Sequence, residues 1–180
     1  MLGHKSTVGS KQVYEYRVVL GCRLHCLPEQ GHMKGFSLSS HVCPQQGELV
    51  AQVGLQWIVH LCQRRRKGFR RPTQPFADAF GASGTRVWVA ERLGSGEIAG
   101  LCEVRERETV IDGAAAQSGH IGSLAVHPER QGLGLGRWLL CTGIEACRET
   151  GWPSVELNVD RDNEPAVRLY ESLGFRPVYA

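Results

Sequence analysis

The sequence predicts an α/β fold built on a mixed β-sheet, and two observations lead to this class. Patterns typical of strands and of helices alternate over the second half of the chain, in the order β-β-β-α-β-α-β, as they do in α/β domains. A glycine-rich turn also joins one of these strands directly to a helix. The length of 180 residues suits one domain with a sizeable hydrophobic core.

Composition narrows the class of protein. Apolar residues make up 42% and charged residues 22% of the chain, which is ordinary for a soluble globular domain. A net charge of +3 is too small to predict nucleic acid as a partner, although it slightly favours a polyanionic ligand. No apolar run is long enough for a membrane span, and the first residues lack the apolar core of a signal peptide. We therefore expect a cytoplasmic protein without a membrane partner.

The cysteines predict neither disulfides nor a metal centre. Their number, seven, is odd, and no Cys-x-x-Cys occurs, so we expect reduced thiols. A zinc site could be drawn from six residues of the first half: Cys22, His25, Cys26, His32, His41 and Cys43. Their spacing matches no familiar pair of zinc ligands, and we predict no metal.

The first half of the chain is weakly patterned. Residues 13–20 are rich in tyrosine and valine at alternate positions and predict a strand. Residues 1–12 are expected to form a tail, and residues 28–47 show no stable periodicity. Residues 48–63 fit either a helix or a strand, and their length favours a helix.

Residues 64–71 are strongly basic and include Phe69. One interpretation is a contact for nucleic acid or another anion, with the aromatic ring available for stacking. The other is a solvated connector after a helix, whose cations suit the helix dipole. We favour the connector, because most such charge runs are solvated.

Strands are better marked in the second half. Residues 86–91 and 98–105 are apolar runs joined by the turn signal Gly94-Ser-Gly96, which predicts an antiparallel hairpin. Residues 106–119 are polar, with alanines and glycines, and are expected to form a loop. Residues 120–126 predict the next strand.

The end of the chain alternates helix and strand again. Residues 154–160 predict a strand, and residues 175–179 begin a final one. The helix before the first of these should end near Thr150, with Gly151 as its left-handed cap. The last helix should begin at Asp162 or Asn163 and end at Gly174. Its buried stripe should consist of Ala166, Leu169, Tyr170 and Leu173.

The glycine-rich turn is the most informative stretch. The strand before it stops at Pro128, and Gly132, Gly134 and Gly136 follow at alternate positions before a helix begins. Unpaired N–H groups at a helix N-terminus favour anions, and glycine lets a ligand approach the backbone closely. We therefore predict a phosphate-binding site.

Two familiar phosphate motifs do not fit this turn. A P-loop needs Gly-Lys-Ser/Thr, which does not occur here. The dinucleotide pattern would need glycine where the chain has Arg137 or Leu139. What remains is Gln131-x-x-Gly134-x-Gly136, preceded by the strand end Leu124-Ala-Val126. This stretch closely resembles the coenzyme A pyrophosphate loop of the GNAT acetyltransferase superfamily.

A second block is similar to the same superfamily. The family pattern has an asparagine at the start of the last helix, a Leu-Tyr pair within it and a Gly-Phe after it. Here these are Asn163, Leu169-Tyr170 and Gly174-Phe175. The resemblance covers residues 86–179 and implies a GNAT-like, mostly antiparallel central sheet flanked by helices.

The resemblance also implies a division of the chain. Residues 76–180 would form the acetyl-CoA-binding core. Residues 1–75 match poorly and would hold the first strand and helices of the acceptor side, or partly extra sequence. Family members usually continue with a further strand that inserts into the sheet, so we expect a truncated C-terminal end. Such an end leaves unpaired sheet edges, which a second copy in a homodimer would cover.

The resemblance assigns the coenzyme contacts. Those with the pyrophosphate would come from the turn and the start of its helix: Gln131, Gly132, Leu133, Gly134, Leu135, Gly136 and Arg137. The backbone of Leu124, Ala125 and Val126 would hold the pantetheine and the thioester carbonyl, with Asn163 beside the pantetheine. Tyr170 would lie near the coenzyme sulfur and act as general acid. Helix capping alone also explains Asn163, and core packing alone also explains Tyr170.

The general base is open between two residues. Some family members have a glutamate where this chain has His120, and a histidine can accept a proton near neutral pH. A histidine without a role explains His120 equally well, and Glu103 on the preceding strand is the second candidate. Cys102 and Cys141 would allow a covalent acetyl-cysteine route. Neither lies in a motif with a histidine partner, so we rank direct transfer first.

The leading functional hypothesis is an acetyl-CoA-dependent N-acetyltransferase. It would act on a primary amine of a small molecule or protein, by direct attack in a ternary complex. The first alternative is a non-catalytic acyl-CoA-binding module, or degenerate family member. The second is an RNA- or ribosome-associated protein that uses residues 64–71.

Overall fold

The structure is a computed structural model, and it describes residues 13–20, 33–41 and 84–178. Several predictions lie outside these ranges: the tail at residues 1–12, the segment 48–63 and the basic run 64–71. The proposed zinc ligands also lie outside them, apart from the backbone of His41.

The described residues form one seven-stranded sheet with two α-helices. The strands are β1 (Val13–Val19), β2 (Phe36–His41), β3 (Thr85–Arg92), β4 (Ile98–Ile111), β5 (Ala114–Val126), β6 (Ser154–Asp160) and β7 (Arg176–Pro177). The helices are α1 (Leu135–Glu149) and α2 (Glu164–Ser172), and Pro128–Arg130 forms a short 3₁₀ turn. The strand order is β2-β3-β4-β5-β6-β1-β7. Only β5 and β6 run parallel among these neighbours, so the predicted mixed, mostly antiparallel sheet is confirmed.

The strongly patterned elements occur where the sequence predicts them. β6 has the predicted bounds, and β1 and the β3–β4 hairpin match within a few residues at their starts. Helix α1 ends at Glu149, and Gly151 has a φ of +83°, as expected for a left-handed C-terminal cap. Gly174, with a φ of +87°, ends α2 in the same way.

The loop predicted for residues 106–119 is wrong. β4 and β5 continue through this stretch as a long hairpin, paired as far as Ile111↔Ala114. Its turn is Asp112-Gly113, with φ values of 51° and 82°, the two positive values of a type I′ turn. The hairpin also contacts β1, because the Nη2 of Arg17 donates to the Oγ1 of Thr109 at 2.9 Å. Cross-strand pairing and this contact stabilise the hairpin, although its tip lacks the alternation of apolar residues from which strands were predicted.

A strand also occurs where no periodicity was seen. β2 pairs with β3 from Phe36↔Arg92 to His41↔Val87. Its sequence, Phe-Ser-Leu-Ser-Ser-His, is half serine, so the hydrophobic alternation is short. The Ser39 hydroxyl donates to Oε1 of Glu91 at 2.7 Å, and this polar contact joins the strand to β3.

The N-terminal strand changes the expected end of the sheet. β1 pairs antiparallel with β6 along its whole length, from Val13↔Asp160 to Val19↔Ser154. The two-residue strand β7 then pairs with the other side of β1. β1 of the same chain therefore covers the edge of β6, and β7 covers only Tyr16 and Arg17 on the outer side of β1. The homodimer that would cover an exposed sheet edge stays a prediction.

The two faces of the sheet differ. A Cβ on Gly143 of α1 would lie 3.0 Å from Val104 and 3.1 Å from the Cys102 Sγ, so α1 packs on the face that carries these β4 side chains. We call this the helix face. Side chains alternate along a strand, so Glu103, between Cys102 and Val104, belongs to the opposite face, called the far face here. The main apolar cluster lies between the sheet and the helices.

Candidate functional site

The site begins where β5 and β6 separate. Their parallel pairing ends at Ile121↔Leu157, whereas β5 stays paired with β4 as far as Gly100↔Val126. At the same point the β4–β5 register shifts: Glu103 faces Ser123 but Val104 faces Ile121, so β5 has a one-residue bulge. A bulge bends its strand and increases the local twist. The opening between the end of β5 and the end of β6 is called the fork below.

Backbone groups of β5 point into the fork. The N–H of His127 donates to Ala99 O at 2.9 Å, which sets the alternation of this antiparallel pair. Successive residues alternate between facing the partner strand and facing away from it. Ala125 therefore bonds to β4, whereas the N–H and C=O groups of Leu124 and Val126 point away from it. This edge can pair with an extended ligand as a strand would.

The glycine turn continues from this edge to the start of α1. Gly132 and Gly134 have φ values of 81° and 86°, which glycine adopts without a Cβ penalty. Gly134 is the N-cap of α1, and no side chain caps the helix. The first N–H groups of α1 therefore lack an intrahelical acceptor and lie at the positive end of the dipole. Gln131 Nε2 donates to Val126 O at 3.1 Å and closes the turn onto β5.

The predicted coenzyme residues lie together, but they offer different groups. Leu133 is exposed and Leu135 is buried in the core, so Leu135 can contribute only its backbone. Arg137 Nη2 donates to Ser172 Oγ at 2.7 Å, which ties α1 to the end of α2. A Cβ on Gly136 would lie 3.6 Å from Leu169 Cδ2, so the start of α1 also packs against α2.

Asn163 stands at the other side of the fork, just after β6. It is the N-cap residue of α2, yet its side chain makes no capping hydrogen bond. The turn is fixed instead by Asp160, whose Oδ1 accepts a bond from the Asp162 N–H at 3.1 Å. Capping therefore does not account for the Asn163 side chain, which is exposed and available to a ligand.

Tyr170 lies in the core on the buried side of α2. It is 7% exposed, and its ring packs against Phe175 with a centroid separation of 5.9 Å. Burial raises the pKa of the Tyr170 hydroxyl, and the nearby Cys102 thiol raises this pKa further. The phenol is therefore protonated at neutral pH, which both a core tyrosine and a general acid require.

The two candidate bases have different surroundings. His120 is 4% exposed, and its Nδ1 lies 3.4 Å from Nη1 of Arg107. Since a guanidinium only donates hydrogen bonds, Nδ1 is the acceptor. Glu103 is 1% exposed, and neither carboxylate oxygen has a hydrogen-bond partner among the described residues. Its Oε1 lies 2.6 Å from the position that a Cβ on Gly122 would take, beside the bulge.

The cysteines of the described region are poor nucleophiles. Cys102 and Cys141 are buried and reduced. Burial raises the pKa of the Cys102 thiol, and a protonated thiol is unreactive. Among the described residues, no three His, Cys, Asp or Glu side chains form a group that could hold a metal ion. No helix in the same part of the chain is long and apolar enough to cross a membrane.

The sequence interpretation missed the bulge and the fork, although one signal was present. Gly122 interrupts an otherwise apolar strand, and an isolated glycine within a strand often marks a bulge. A Cβ at this position would meet the Glu103 carboxylate. The glycine thus allows the carboxylate to lie against the backbone where β5 leaves β6.

Comparisons with known proteins point to one family. The sequence pattern of the Acetyltransferase (GNAT) family matches residues 56–175. A mycothiol acetyltransferase of Nocardiopsis dassonvillei is 45% identical over 87 residues, which are 46% of this chain and 26% of the relative. The mycothiol acetyltransferase of Thermobifida fusca is 40% identical over 110 residues, which are 59% of this chain and 32% of the relative.

The chain thus spans about a third or less of the length of these curated relatives. Among solved structures, an acetyltransferase of Trypanosoma brucei matches with a TM-score of 0.60 and 25% identity, over 81% of this chain and 95% of the other. The family pattern extends from before β3 to the end of α2 and includes the fork, the glycine turn and Tyr170. The chain belongs to the GNAT acetyltransferase family.

Proposed function

We propose that this chain binds acetyl-CoA along the fork and transfers its acetyl group to a primary amine. The family uses acetyl-CoA as co-substrate. One observation carries the proposal: the outward backbone groups of Leu124 and Val126 lead directly to the uncapped start of α1 at Gly134. An extended arm that ends in a pyrophosphate matches this order, because the strand edge offers peptide-like pairing and the helix start favours anions.

The remaining coenzyme contacts follow from the same arrangement. Residues 131–136 offer the turn and the first helical amides to the pyrophosphate, and Arg137 lies next to them. Asn163 offers an uncommitted side-chain amide to the pantetheine from the other side of the fork. The acetyl-CoA thioester supplies the activated acyl group. An N–H of the β5 edge would stabilise the negative charge that develops on its carbonyl oxygen, as preorganised donors do.

Tyr170 is proposed as the general acid. Its hydroxyl is kept protonated by burial and by the Cys102 thiol, and Cys102 is the cross-strand partner of Leu124. The hydroxyl therefore belongs to the part of the core that adjoins the fork. There it would donate a proton to the departing sulfur, so that the product leaves as a neutral thiol.

Direct transfer is preferred to an acetyl-cysteine route. Cys102 faces α1 rather than the far face, and its raised pKa keeps it protonated. A covalent route would need a base to remove that proton. The pKa of the Cys102 thiol is raised first by burial, then by the Cys147 thiol and the Glu103 carboxylate. The carboxylate lies on the opposite face of β4.

The acceptor is proposed only as a class, a primary amine on a small molecule or a protein. The relatives are named mycothiol acetyltransferases, so the compound that they acetylate is the first acceptor to test. This chain matches only a part of those proteins. A non-catalytic acyl-CoA-binding module remains the alternative. The cytoplasmic location and the RNA hypothesis stay predictions, the latter because its basic run lies outside the described residues.

A coupled thiol-release assay tests the proposal. The purified chain is mixed with acetyl-CoA and a panel of amines: the relatives' acceptor, polyamines, aminoglycosides, amino acids and peptide N-termini. We expect amine-dependent release of free coenzyme A, with acetylated product detected by mass spectrometry. Calorimetric binding of acetyl-CoA without turnover of any amine would favour the non-catalytic module. A folded protein that binds no acetyl-CoA would refute the proposal.

A further inference from the structure

We propose that Glu103 binds the ammonium group of the acceptor and takes its proton, a role that the sequence assigned first to His120. The inference rests on the proposed function and names its missing base. It also defines the acceptor as a protonated amine that reaches the fork from the far face of the sheet.

The first observation is a buried carboxyl group without a hydrogen-bond partner among the described residues. Glu103 is 1% exposed, and both carboxylate oxygens are without a hydrogen-bond partner in the described part of the chain. An unpaired buried carboxylate is costly, and buried polar groups are nearly always bonded, so an exception calls for an explanation. A ligand that carries hydrogen-bond donors and a positive charge would supply the partner.

A neighbouring glutamate shows what a structural carboxylate looks like in this sheet. Glu156 is also 1% exposed, yet Arg17 Nη2 lies 2.7 Å from its Oε1 and Thr109 Oγ1 donates to the same oxygen at 2.7 Å. Arg107 Nη1 lies 3.7 Å from the other oxygen. The described residues therefore supply partners to the buried carboxylate of Glu156, and they supply none to that of Glu103.

The second observation is position. Glu103 faces Ser123 across the pair of strands, directly beside the bulge. Its Oε1 lies 2.6 Å from the Cβ position of Gly122, so the carboxylate lies against the residue at which β5 turns away from β6. Leu124, whose N–H points into the fork, follows two residues later. The carboxylate thus adjoins the place where the thioester carbonyl would be held.

Glu103 and Tyr170 approach the fork from opposite sides. Glu103 is on the far face, whereas the Tyr170 hydroxyl is close enough to Cys102, a helix-face residue, for the thiol to raise its pKa. An amine that enters from the far face would meet the base first. The sulfur on the coenzyme side would then lie towards the acid.

His120 is less suited to receive a cation. It pairs with Glu156 in the β5–β6 register, before the strands separate, and its Nδ1 faces the Arg107 guanidinium at 3.4 Å. A positive guanidinium repels an approaching ammonium group, and the hydrogen bond already occupies one ring nitrogen. The carboxylate of Glu103 attracts the same ligand.

The chemical step balances as follows. Glu103 accepts one proton from the ammonium group and becomes a carboxylic acid, which leaves a neutral amine with a free electron pair. That nitrogen forms a bond to the acetyl carbon, the carbon–sulfur bond breaks, and the sulfur keeps the bonding pair. Tyr170 protonates the sulfur and regains a proton from the nitrogen, through water. Glu103 then releases its proton to solvent, so each acetylation yields one amide, one thiol and one proton.

Glu103→Gln tests the assignment, with Glu156→Gln as its matched control. Both changes keep the side-chain shape and remove a buried charge. If Glu103 is held without a partner for catalysis, Glu103→Gln should unfold at the same or a higher urea concentration than wild type, since removal of an unpaired buried charge does not destabilise. Glu156→Gln loses charge-assisted bonds and should unfold at a lower concentration. This readout requires no acceptor.

The kinetic arm uses the panel amine that wild type acetylates fastest. Glu103→Gln should bind acetyl-CoA with unchanged affinity and turn over about 10² to 10⁴ times more slowly. Its rate should rise about tenfold per pH unit below the pKa of the amine, because only the free base then reacts and the fraction of free base grows tenfold. Glu156→Gln, assayed where it is folded, should keep the wild-type pH profile.

Two results would overturn the inference. One is a Glu103→Gln protein that is destabilised as much as Glu156→Gln, which would give the carboxylate a structural partner. The other is wild-type turnover with a wild-type pH profile in Glu103→Gln. Failure of the proposed function is distinguished from both, since wild type itself would then bind no acetyl-CoA or acetylate no amine.

Discussion

Gly134 lies at the centre of the proposed pyrophosphate site, and Gly134→Ala should damage both folding and coenzyme binding. Its φ of 86° costs a residue with a Cβ about 1–2 kcal/mol. The new Cβ would also lie 3.1 Å from Met33 Cε, closer than ordinary contact, so Met33 or the turn must shift. A shift of the turn re-aims the first amides of α1. We expect at least a tenfold loss of acetyl-CoA affinity, or about 1.4 kcal/mol.

Two other glycines separate these effects. Gly132 and Gly151 have φ values of 81° and 83°, and a Cβ on either would meet nothing within 4 Å. Gly151→Ala, at the other end of α1, should lose about the same 1–2 kcal/mol of unfolding free energy and keep full affinity. Gly132→Ala should lose that stability and, because it lies in the turn, some affinity.

Urea unfolding and calorimetric titration of acetyl-CoA measure the three variants side by side. The affinity should fall in the order Gly151, Gly132, Gly134, from unchanged to most reduced. A folded Gly134→Ala protein with wild-type affinity would refute the reasoning, and so would an equal loss in Gly151→Ala.

Three further predictions concern single side chains. Tyr170→Phe should lower kcat about 10² to 10⁴-fold with coenzyme affinity and melting temperature nearly unchanged; a normal kcat would make the tyrosine a core residue only. Asn163→Ala should raise the KM for acetyl-CoA without lowering the melting temperature, since its side chain forms no capping bond; a lower melting temperature at unchanged KM would contradict this. Burial raises the pKa of the Cys147 thiol from 9.0 to about 12. The protonated thiol therefore makes its full contribution to the free energy of unfolding below pH 9. As the pH rises from 9 towards 12, that contribution falls by about 1.4 kcal/mol per pH unit. Urea midpoints between pH 8 and 11 should therefore fall less steeply in Cys147→Ala than in wild type, and parallel curves would oppose the assignment.

Elements with a clear local signal could be predicted from the sequence. Apolar residues alternate along the whole length of β6. Helix α1 is followed by Gly151, a residue type that favours the left-handed conformation of a helix C-terminal cap. The long β4–β5 hairpin was missed because its tip, residues 106–119, is polar with alanines and glycines, and most of these residues are exposed. Its type I′ turn, Asp112-Gly113, was nevertheless present in the sequence as a hairpin signal.

Long-range pairing set the limit of the sequence interpretation. β1 pairs with β6 through contacts such as Val13↔Asp160, which no local pattern encodes. A strand from the other end of the chain therefore covers β6, and the sequence pattern did not predict this pairing.

The candidate site shows the same division. The glycine turn and the Asn163 and Tyr170 block could be recognised, because their residue types and spacing are local. Among the described residues, the isolation of Glu103 depends on what the neighbouring strands β3 and β5 place around it. The partners of Glu156 come from β1 and β4. The local sequence does not distinguish Glu103 from Glu156, and the difference in their hydrogen bonding is evident only from the fold.

Hydrogen exchange of individual β5 amides with and without acetyl-CoA tests the central claim most directly. The claim is that the coenzyme pairs with the outward edge of β5 and with the start of α1. The amides of Leu124 and Val126, and those of Gly134 to Gly136, should become at least tenfold more protected when acetyl-CoA binds. The amide of Ala125, already bonded to β4, should change much less. Tight binding that leaves the Leu124 and Val126 amides unprotected would contradict the account.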